Sequence, residues 1–253
     1  MTPVYFLTLK SHLCILLHRF RLATLALVSV FVLSGCANNS NNAINRFNNV
    51  LELSRGQAIS TEHLQNLPFA SALVNINDSN PVLMVLLFID PIPNSDVPRL
   101  TWIAQDKATI VTENGRIVKT TGFPSTNIEG LIEASPSQRM VPALPSPRDA
   151  WQAMYDWSPG YRFGFTAIVD SVALGEEIVE SVLWNQPAQK IQEHVKFDAL
   201  NSHVINDFWV VAQTDALQAY VVKSTQYIGP KMTKIDMLMI KPFITEIKTQ
   251  GIQ

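Results

Sequence analysis

Short strand-like segments separated by turn residues follow one another along most of the chain, and this pattern constrains the fold more than any other feature. The segments are rich in β-branched residues and lie at residues 72–76, 82–89, 100–104, 109–112, 117–121, 161–169, 178–184, 190–197, 208–212, 219–228 and 234–241. Turn residues such as Asp78-Ser79-Asn80-Pro81 and Ala173-Leu174-Gly175 separate them. The pattern predicts a mainly β fold with a few short helices: a curved antiparallel sheet, a half-barrel or a sandwich of hairpins.

One of these turns is specified by its sequence with unusual clarity. Asn114-Gly115 lies between two β-branched runs, and a two-residue hairpin turn needs positive φ at both central positions, which Asn and Gly tolerate best. We therefore predict a hairpin centred on these two residues.

Two short helices are predicted before the first strand. Ile44, Phe47 and Leu51 keep helical spacing, while Ser60-Thr61-Glu62 is typical of a helix start, which Pro68 would stop.

The N-terminus has the order of a secretory signal. Basic residues and no acidic ones precede an apolar run at residues 22–33, which is shorter than the roughly 20 residues that span a bilayer. The following Leu33-Ser34-Gly35-Cys36 resembles the lipobox of bacterial lipoproteins, which implies that Cys36 is lipidated and becomes the first residue of the mature chain. Fatty chains on this cysteine would anchor the protein stably to a membrane. Residue 37 is alanine and not aspartate, which resembles the bacterial sorting pattern for outer-membrane lipoproteins and implies a position on the periplasmic face of that membrane.

This reading divides the chain into three parts. Residues 1–35 form the signal peptide, residues 36–58 an Asn-rich lipidated tether with the first short helix, and residues 59–253 a β-rich domain. Four prolines at residues 136–147 either link two lobes, 59–135 and 148–253, or form a long loop across one sheet.

Charge and cysteine content exclude several functions. Without residues 1–35 the chain keeps 16 basic and 21 acidic residues, a net charge of −5, and it has no basic run suited to nucleic acid. With Cys36 acylated and Cys14 removed, no thiol is left for a disulfide or a thiolate metal site.

No catalytic spacing is recognisable, so we predict neither enzymatic activity nor a cofactor. The metalloprotease, phosphate-loop and nucleophile-elbow motifs are missing from the sequence. A metal set would have to combine residues distant in sequence, of which His194, His203, Glu193, Asp198 and Asp207 are the nearest candidates, and we predict no metal site. Adjacent Glu176 and Glu177 would point to opposite faces of a strand, which does not suit glycoside hydrolysis.

Aromatic and basic residues offer a candidate surface for glycan. Aromatic rings beside the proline-rich segment could stack on sugars, and basic residues on strands could meet an acidic polysaccharide. The candidates are Trp151, Tyr155, Trp157, Tyr161, Arg116, Lys119 and Lys223. The alternative is that the aromatic residues belong to the core and the basic ones to the solvent side of hairpins.

Two stretches, KATIVTENGRIVKTTGFP at residues 107–124 and FWVVAQTDALQAYVVKSTQYIGP at residues 208–230, resemble the YjbF family of outer-membrane lipoproteins. Leu67-Pro68-Phe69-Ala70-Ser71 adds to the resemblance, which spans about residues 50–242, whereas Thr214-Asp215-Ala216 departs from it where a turn glycine is usual. The resemblance implies a part in making or exporting a surface polysaccharide, by binding glycan or an export protein. Two alternatives stay open: a carrier of apolar cargo inside a curved sheet, and a glycan-modifying enzyme.

Overall fold

The computed structural model describes residues 60–93, 95, 97–134, 139–140 and 143–246. The predicted signal peptide, Cys36, the tether and the first short helix lie outside the described residues.

The described chain contains one α-helix, a single 3₁₀ turn and thirteen strands. Helix α1 (Thr61–Asn66) comes first, and the 3₁₀ turn is Asp198–Leu200. The strands are β1 (Ser71–Ile76), β2 (Val82–Asp90), β3 (Arg99–Ile103), β4 (Thr109–Glu113), β5 (Arg116–Thr121), β6 (Asn127–Ala134), β7 (Arg139–Met140), β8 (Arg148–Ser158), β9 (Arg162–Glu180), β10 (Asn185–Phe197), β11 (Ser202–Val211), β12 (Tyr220–Tyr227) and β13 (Lys234–Lys241).

Helix α1 starts where the sequence predicts. The Ser60 hydroxyl accepts a hydrogen bond from the His63 amide at 3.2 Å, which caps the first turn. At its other end, Lys241 Nζ on β13 donates to the carbonyls of Gln65 and Leu67 at 2.6 and 2.5 Å. These bonds fix the helix to the end of the sheet.

All thirteen strands form one antiparallel sheet, in the order β5-β4-β3-β2-β1-β13-β12-β11-β10-β9-β8-β6-β7. The first strand thus pairs with the last, and the sheet curves until its two margins meet. There the Thr120 hydroxyl on β5 accepts from the Ile128 amide on β6 at 3.1 Å, so side chains take the place of a strand ladder. The predicted curved antiparallel sheet is confirmed, in the form of a nearly closed, barrel-like sheet.

Successive strands run up and down, so the connections alternate between two ends of the sheet. The helix end carries α1, the Asn114-Gly115 turn and the β9–β10 turn. The opposite end, here called the rim, carries the β1–β2, β3–β4, β8–β9, β10–β11 and β12–β13 turns.

Large side chains fill the interior of the sheet. One cluster joins residues from nearly every strand, including Trp102, Tyr155, Trp157, Phe197 and Met237, all of them buried. Dense packing of this kind provides the main stabilisation of a domain without disulfides.

One predicted turn is wrong. Ala173-Leu174-Gly175 does not interrupt the strand, because β9 continues through it and pairs with β10 on both sides. The register shifts there by one residue, and Gly175 adopts a φ of +114°, as expected for a glycine at a bulge. Beyond the bulge, Val179 packs with Trp209 of β11, so the end of the β9–β10 hairpin lies against the neighbouring strands.

Strands on both sides of the proline-rich residues 136–147 belong to the same sheet.

In the part of the chain that the structure describes, no helix has the length and hydropathy needed to cross a membrane.

Candidate functional site

The structure separates the seven predicted glycan-binding residues by exposure. Trp151, Tyr155, Trp157 and Arg116 are buried, Lys223 is partly buried, and Lys119 and Tyr161 are exposed. A buried ring or guanidinium has no face free for a sugar, whereas an exposed one does.

Arg116 lies inside the sheet and is bound to Glu193. Its Nη2 lies 2.7 Å from Glu193 Oε1, and its Nη1 contacts the other carboxylate oxygen; each side chain is 2% exposed. The guanidinium also lies 5.2 Å from the ring centroids of Trp151 and Phe208. Arg116 therefore belongs to the interior of the sheet, where its charge is paired with that of Glu193.

Tyr155 and Trp157 belong to an aromatic cluster on the inner face of β8. Their ring centroids lie 5.6 Å apart in a stacked arrangement, and Phe197 lies 5.1 Å from Tyr155. The indole of Trp157 donates to the Ile228 carbonyl at 2.5 Å. Burial, with a smaller contribution from the Glu193 carboxylate, raises the pKa of Tyr155. For these aromatic residues the structure places the side chains in the core.

Lys223 lies over the indole of Trp209, with its ammonium 4.3 Å from the ring centroid. Lys190 contacts the same ring at 4.9 Å, and the indole nitrogen donates to Glu177 at 2.7 Å. Around Trp209 the two ammonium groups of Lys223 and Lys190 thus lie close to the carboxylate of Glu177, beside the β9–β10 hairpin.

Lys119 and Glu129 form an ion pair across the two margins of the sheet. Lys119 Nζ lies 2.8 Å from Glu129 Oε2, and the Ser158 hydroxyl donates to the other oxygen at 2.5 Å. These hydrogen bonds lower the pKa of Glu129, and the bond from Lys119 contributes most. The pair lies beside the β8–β9 turn, which begins at Ser158.

That turn carries the most exposed aromatic residues at the rim. Tyr161 is 94% exposed with a φ of +54°, and Phe163 is 59% exposed. Arg162 Nε donates to the Pro159 carbonyl at 3.1 Å, and the Gly164 amide donates to Asp156 at 2.7 Å. Hydrogen bonds therefore fix the turn that displays these rings.

A second turn at the rim brings in another cation. The β12–β13 turn packs on the buried Trp157, because a Cβ on Gly229 would lie only 2.9 Å from that indole. Lys231 projects from this turn and is exposed. We call Lys119, Tyr161, Arg162, Phe163 and Lys231 the rim cluster.

The sequence predicts Lys119 and Tyr161 as glycan-binding residues and offers Phe163 as a ring that could stack on sugar, but it does not point to Arg162 or Lys231. Arg162 lies two residues after Pro159-Gly160, a dipeptide typical of an exposed turn, and this signal could have identified it. The sequence does not show that Lys231 lies at the same end of the sheet as the β8–β9 turn, because that position depends on long-range strand pairing and packing.

The described carboxylates and histidines form no group that could hold a metal ion. The two buried carboxylates, Glu113 and Glu193, each bind an arginine. His194 and His203 are exposed, and no group of three potential metal ligands converges among the residues that the structure describes.

A pocket at the helix end is lined mainly by apolar residues such as Trp102, Leu144 and Val221. Its volume is about 60 Å³. By the same measure one water molecule needs about 10–15 Å³, so this pocket has room for a few water molecules.

The fold and its surface define a class of protein: a mainly β domain built on one nearly closed sheet, with its interior filled by side chains. The particular family follows from a match over residues 44–240 to the family described as group 4 capsule polysaccharide lipoprotein GfcB, YjbF. The chain belongs to this YjbF family.

Two relatives from Escherichia coli (strain K12) resemble the chain over most of its length. It is 23% identical to the uncharacterized lipoprotein GfcB over 219 residues, which are 85% of this chain and 97% of that protein. It is also 23% identical to the uncharacterized lipoprotein YjbF over 194 residues, 74% of this chain and 82% of that protein. Both are named lipoproteins, which agrees with the lipobox-like sequence at Cys36.

A solved structure has the same fold. The crystal structure of the hypothetical lipoprotein YmcC from Escherichia coli (K12) superposes with a TM-score of 0.58, at 24% identity, over 76% of this chain and 93% of that one.

Proposed function

We propose that this protein is a non-catalytic lipoprotein that assists the production or export of capsule or exopolysaccharide by binding glycan or an export protein. It would be held by its acylated Cys36 in the outer membrane and face the periplasm. The observation that carries the proposal is the family match over residues 44–240, whose description names a capsule polysaccharide lipoprotein.

The arrangement of the domain supports a binding role on its surface. Its interior is occupied by aromatic residues and a paired Arg116 and Glu193, so a ligand would meet the outside of the sheet. The small pocket at the helix end offers no support for a carrier of apolar cargo. Enzymatic trimming of glycan would need converging free carboxylates, and the buried Glu113 and Glu193 are both bound by arginine.

The proposal is tested by deleting the gene and measuring surface polysaccharide per cell. We expect a reduced amount, restored by the wild-type gene. Unchanged polysaccharide in the deletion strain would contradict the proposal, and a change in polymer length with unchanged amount would favour an enzyme.

Anchoring is tested separately with Cys36→Ser. We expect the wild-type chain to incorporate a labelled fatty acid and to fractionate with the outer membrane, and the variant to do neither. Labelling of the variant would overturn the assignment of Cys36.

A further inference from the structure

We propose that the rim cluster is a binding site for acidic polysaccharide, in which Tyr161 and Phe163 stack on sugar rings while Arg162 and Lys231 bind carboxylate groups of the polymer. This inference rests on the proposed function and names its ligand class and its site.

The first support is the exposure of two aromatic residues on a fixed turn. Tyr161 is 94% exposed and Phe163 is 59% exposed, although aromatic side chains are mostly buried. The turn is held by the bonds from Arg162 Nε to Pro159 and from Gly164 to Asp156. A fixed display lowers the entropy cost of binding a ligand on these rings.

The β8–β9 turn also rests on a rigid base. Trp157, the last inward-facing residue before the turn, is 1% exposed and lies 5.1 Å from Phe165, which follows the turn. The aromatic pair beneath the turn therefore joins the two strands that carry Tyr161 and Phe163. The exposed rings are positioned by the core, as a binding platform requires.

Charge at the rim favours an anionic ligand. Arg162 uses Nε on the Pro159 carbonyl and forms no ion pair with the described carboxylates, and Lys231 is exposed and also forms none. Of the neighbouring carboxylates, Glu129 is paired with Lys119 and also accepts from Ser158, and Asp156 accepts from the Gly164 amide. A guanidinium that keeps its terminal nitrogens free is well suited to bind a carboxylate in a bidentate manner.

Aromatic and cationic residues together also suit the interface of an anionic membrane. The family match over residues 44–240 is to a capsule polysaccharide lipoprotein, and this description favours a polymer over a lipid surface. We therefore assign the cluster to acidic polysaccharide.

The test measures the affinity of the full lipoprotein, purified in detergent, for polygalacturonate, for uncharged dextran and for vesicles of phosphatidylethanolamine and phosphatidylglycerol. We expect binding to polygalacturonate that weakens with salt, and at least tenfold weaker binding for Tyr161→Asn combined with Phe163→Asn. Asparagine tolerates the positive φ of Tyr161, so this variant should fold. Arg162→Gln combined with Lys231→Gln should lose binding to polygalacturonate as well.

The matched control is Phe88→Asn combined with Ile89→Asn, which removes two apolar residues that are 56% and 51% exposed at the helix end of β2, away from the rim. We expect its affinity to equal that of the wild type. A loss of affinity in this control equal to that of the Tyr161→Asn, Phe163→Asn variant, failure of the wild type to bind polygalacturonate, or binding to vesicles alone would each overturn the inference.

A cell-based comparison separates this inference from the proposed function. If deletion lowers surface polysaccharide and the Tyr161→Asn, Phe163→Asn variant restores it fully, the rim site is wrong and the proposed function stands. If deletion has no effect, the proposed function itself fails.

Discussion

At the scale of single residues, Arg116 shows how an interior can depend on one long-range contact. Besides Glu193, it binds the Ala143 carbonyl through Nε at 3.1 Å, and the Ser171 hydroxyl donates to Glu193 at 3.2 Å. From the sequence, Arg116 is a basic residue beside a hairpin turn and was expected on the surface. Its partner lies 77 positions away, and no local pattern indicates such a contact.

We expect Arg116→Met to destabilise the fold by about 3–5 kcal/mol, because it leaves Glu193 buried without a partner. Combining it with Glu193→Leu should recover most of that loss, as apolar side chains would then replace the pair. Urea unfolding followed by tryptophan fluorescence measures both. Lys196→Met is the control, since its pair with Asp198 is 68% and 69% exposed, and it should leave the unfolding midpoint unchanged.

Tyr155 gives the protein a specific sensitivity to alkali. Burial raises its pKa in the folded state above the ordinary value of 10.0, so the folded state retains this proton when the unfolded state loses it. Tyr155 therefore does not change the free energy of unfolding below about pH 10. Above that pH the unfolded state loses the proton more readily, and the free energy of unfolding decreases. We expect Tyr155→Phe to shift alkaline unfolding to higher pH, and Tyr161→Phe, at a position 94% exposed, to leave it unchanged.

At the scale of elements, the β4–β5 hairpin is the best example of a local signal that the structure confirms. Asn114 and Gly115 adopt φ values of +50° and +76°, as a two-residue turn requires. The sequence did not indicate that the turn is docked, with Gln226 on β12 donating to the Gly115 carbonyl and accepting from the Ile117 amide, both at 3.0 Å.

We expect Gly115→Ala to be markedly more destabilising than Gly164→Ala, although both glycines have a similar φ, +76° and +72°. At Gly164 nothing lies within 4 Å of an added Cβ, so only the backbone strain of about 1–2 kcal/mol remains. At Gly115 the added Cβ would overlap Val221. Urea midpoints of the two variants provide the comparison, and equal values would mean that the turn is not packed against β12.

Most strands are predictable from the sequence because alternation and β-branching are local properties. The pairing of strands across the sheet is not, because it depends on contacts between residues distant in sequence. The β9 bulge was read as a turn because glycine serves in both, and the choice depends on the pairing with β10. In the same way, the sequence indicates Lys119 and Tyr161 as candidates, but the position of Lys231 at the same end of the sheet follows from the strand pairing.

At the scale of the whole molecule, one continuous sheet joins the two halves of the chain, since β1 pairs with β13. We expect a single cooperative unfolding transition in urea. Tryptophan fluorescence, which reports on Trp102 of β3 and Trp209 of β11, and far-UV circular dichroism should give coincident curves. Two separated transitions would instead support independent lobes on either side of residues 136–147.

The opposite placement of helix α1 and the β8–β9 turn also determines how the molecule would bear mechanical load. A pull between Ser60 at the helix end and Tyr161 at the rim is directed along the strands, and antiparallel ladder bonds lie perpendicular to them. Such a force shears many hydrogen bonds together, whereas a sideways force would peel them apart one at a time. The domain should therefore resist a pull between these two ends of the sheet more strongly than a pull across its strands.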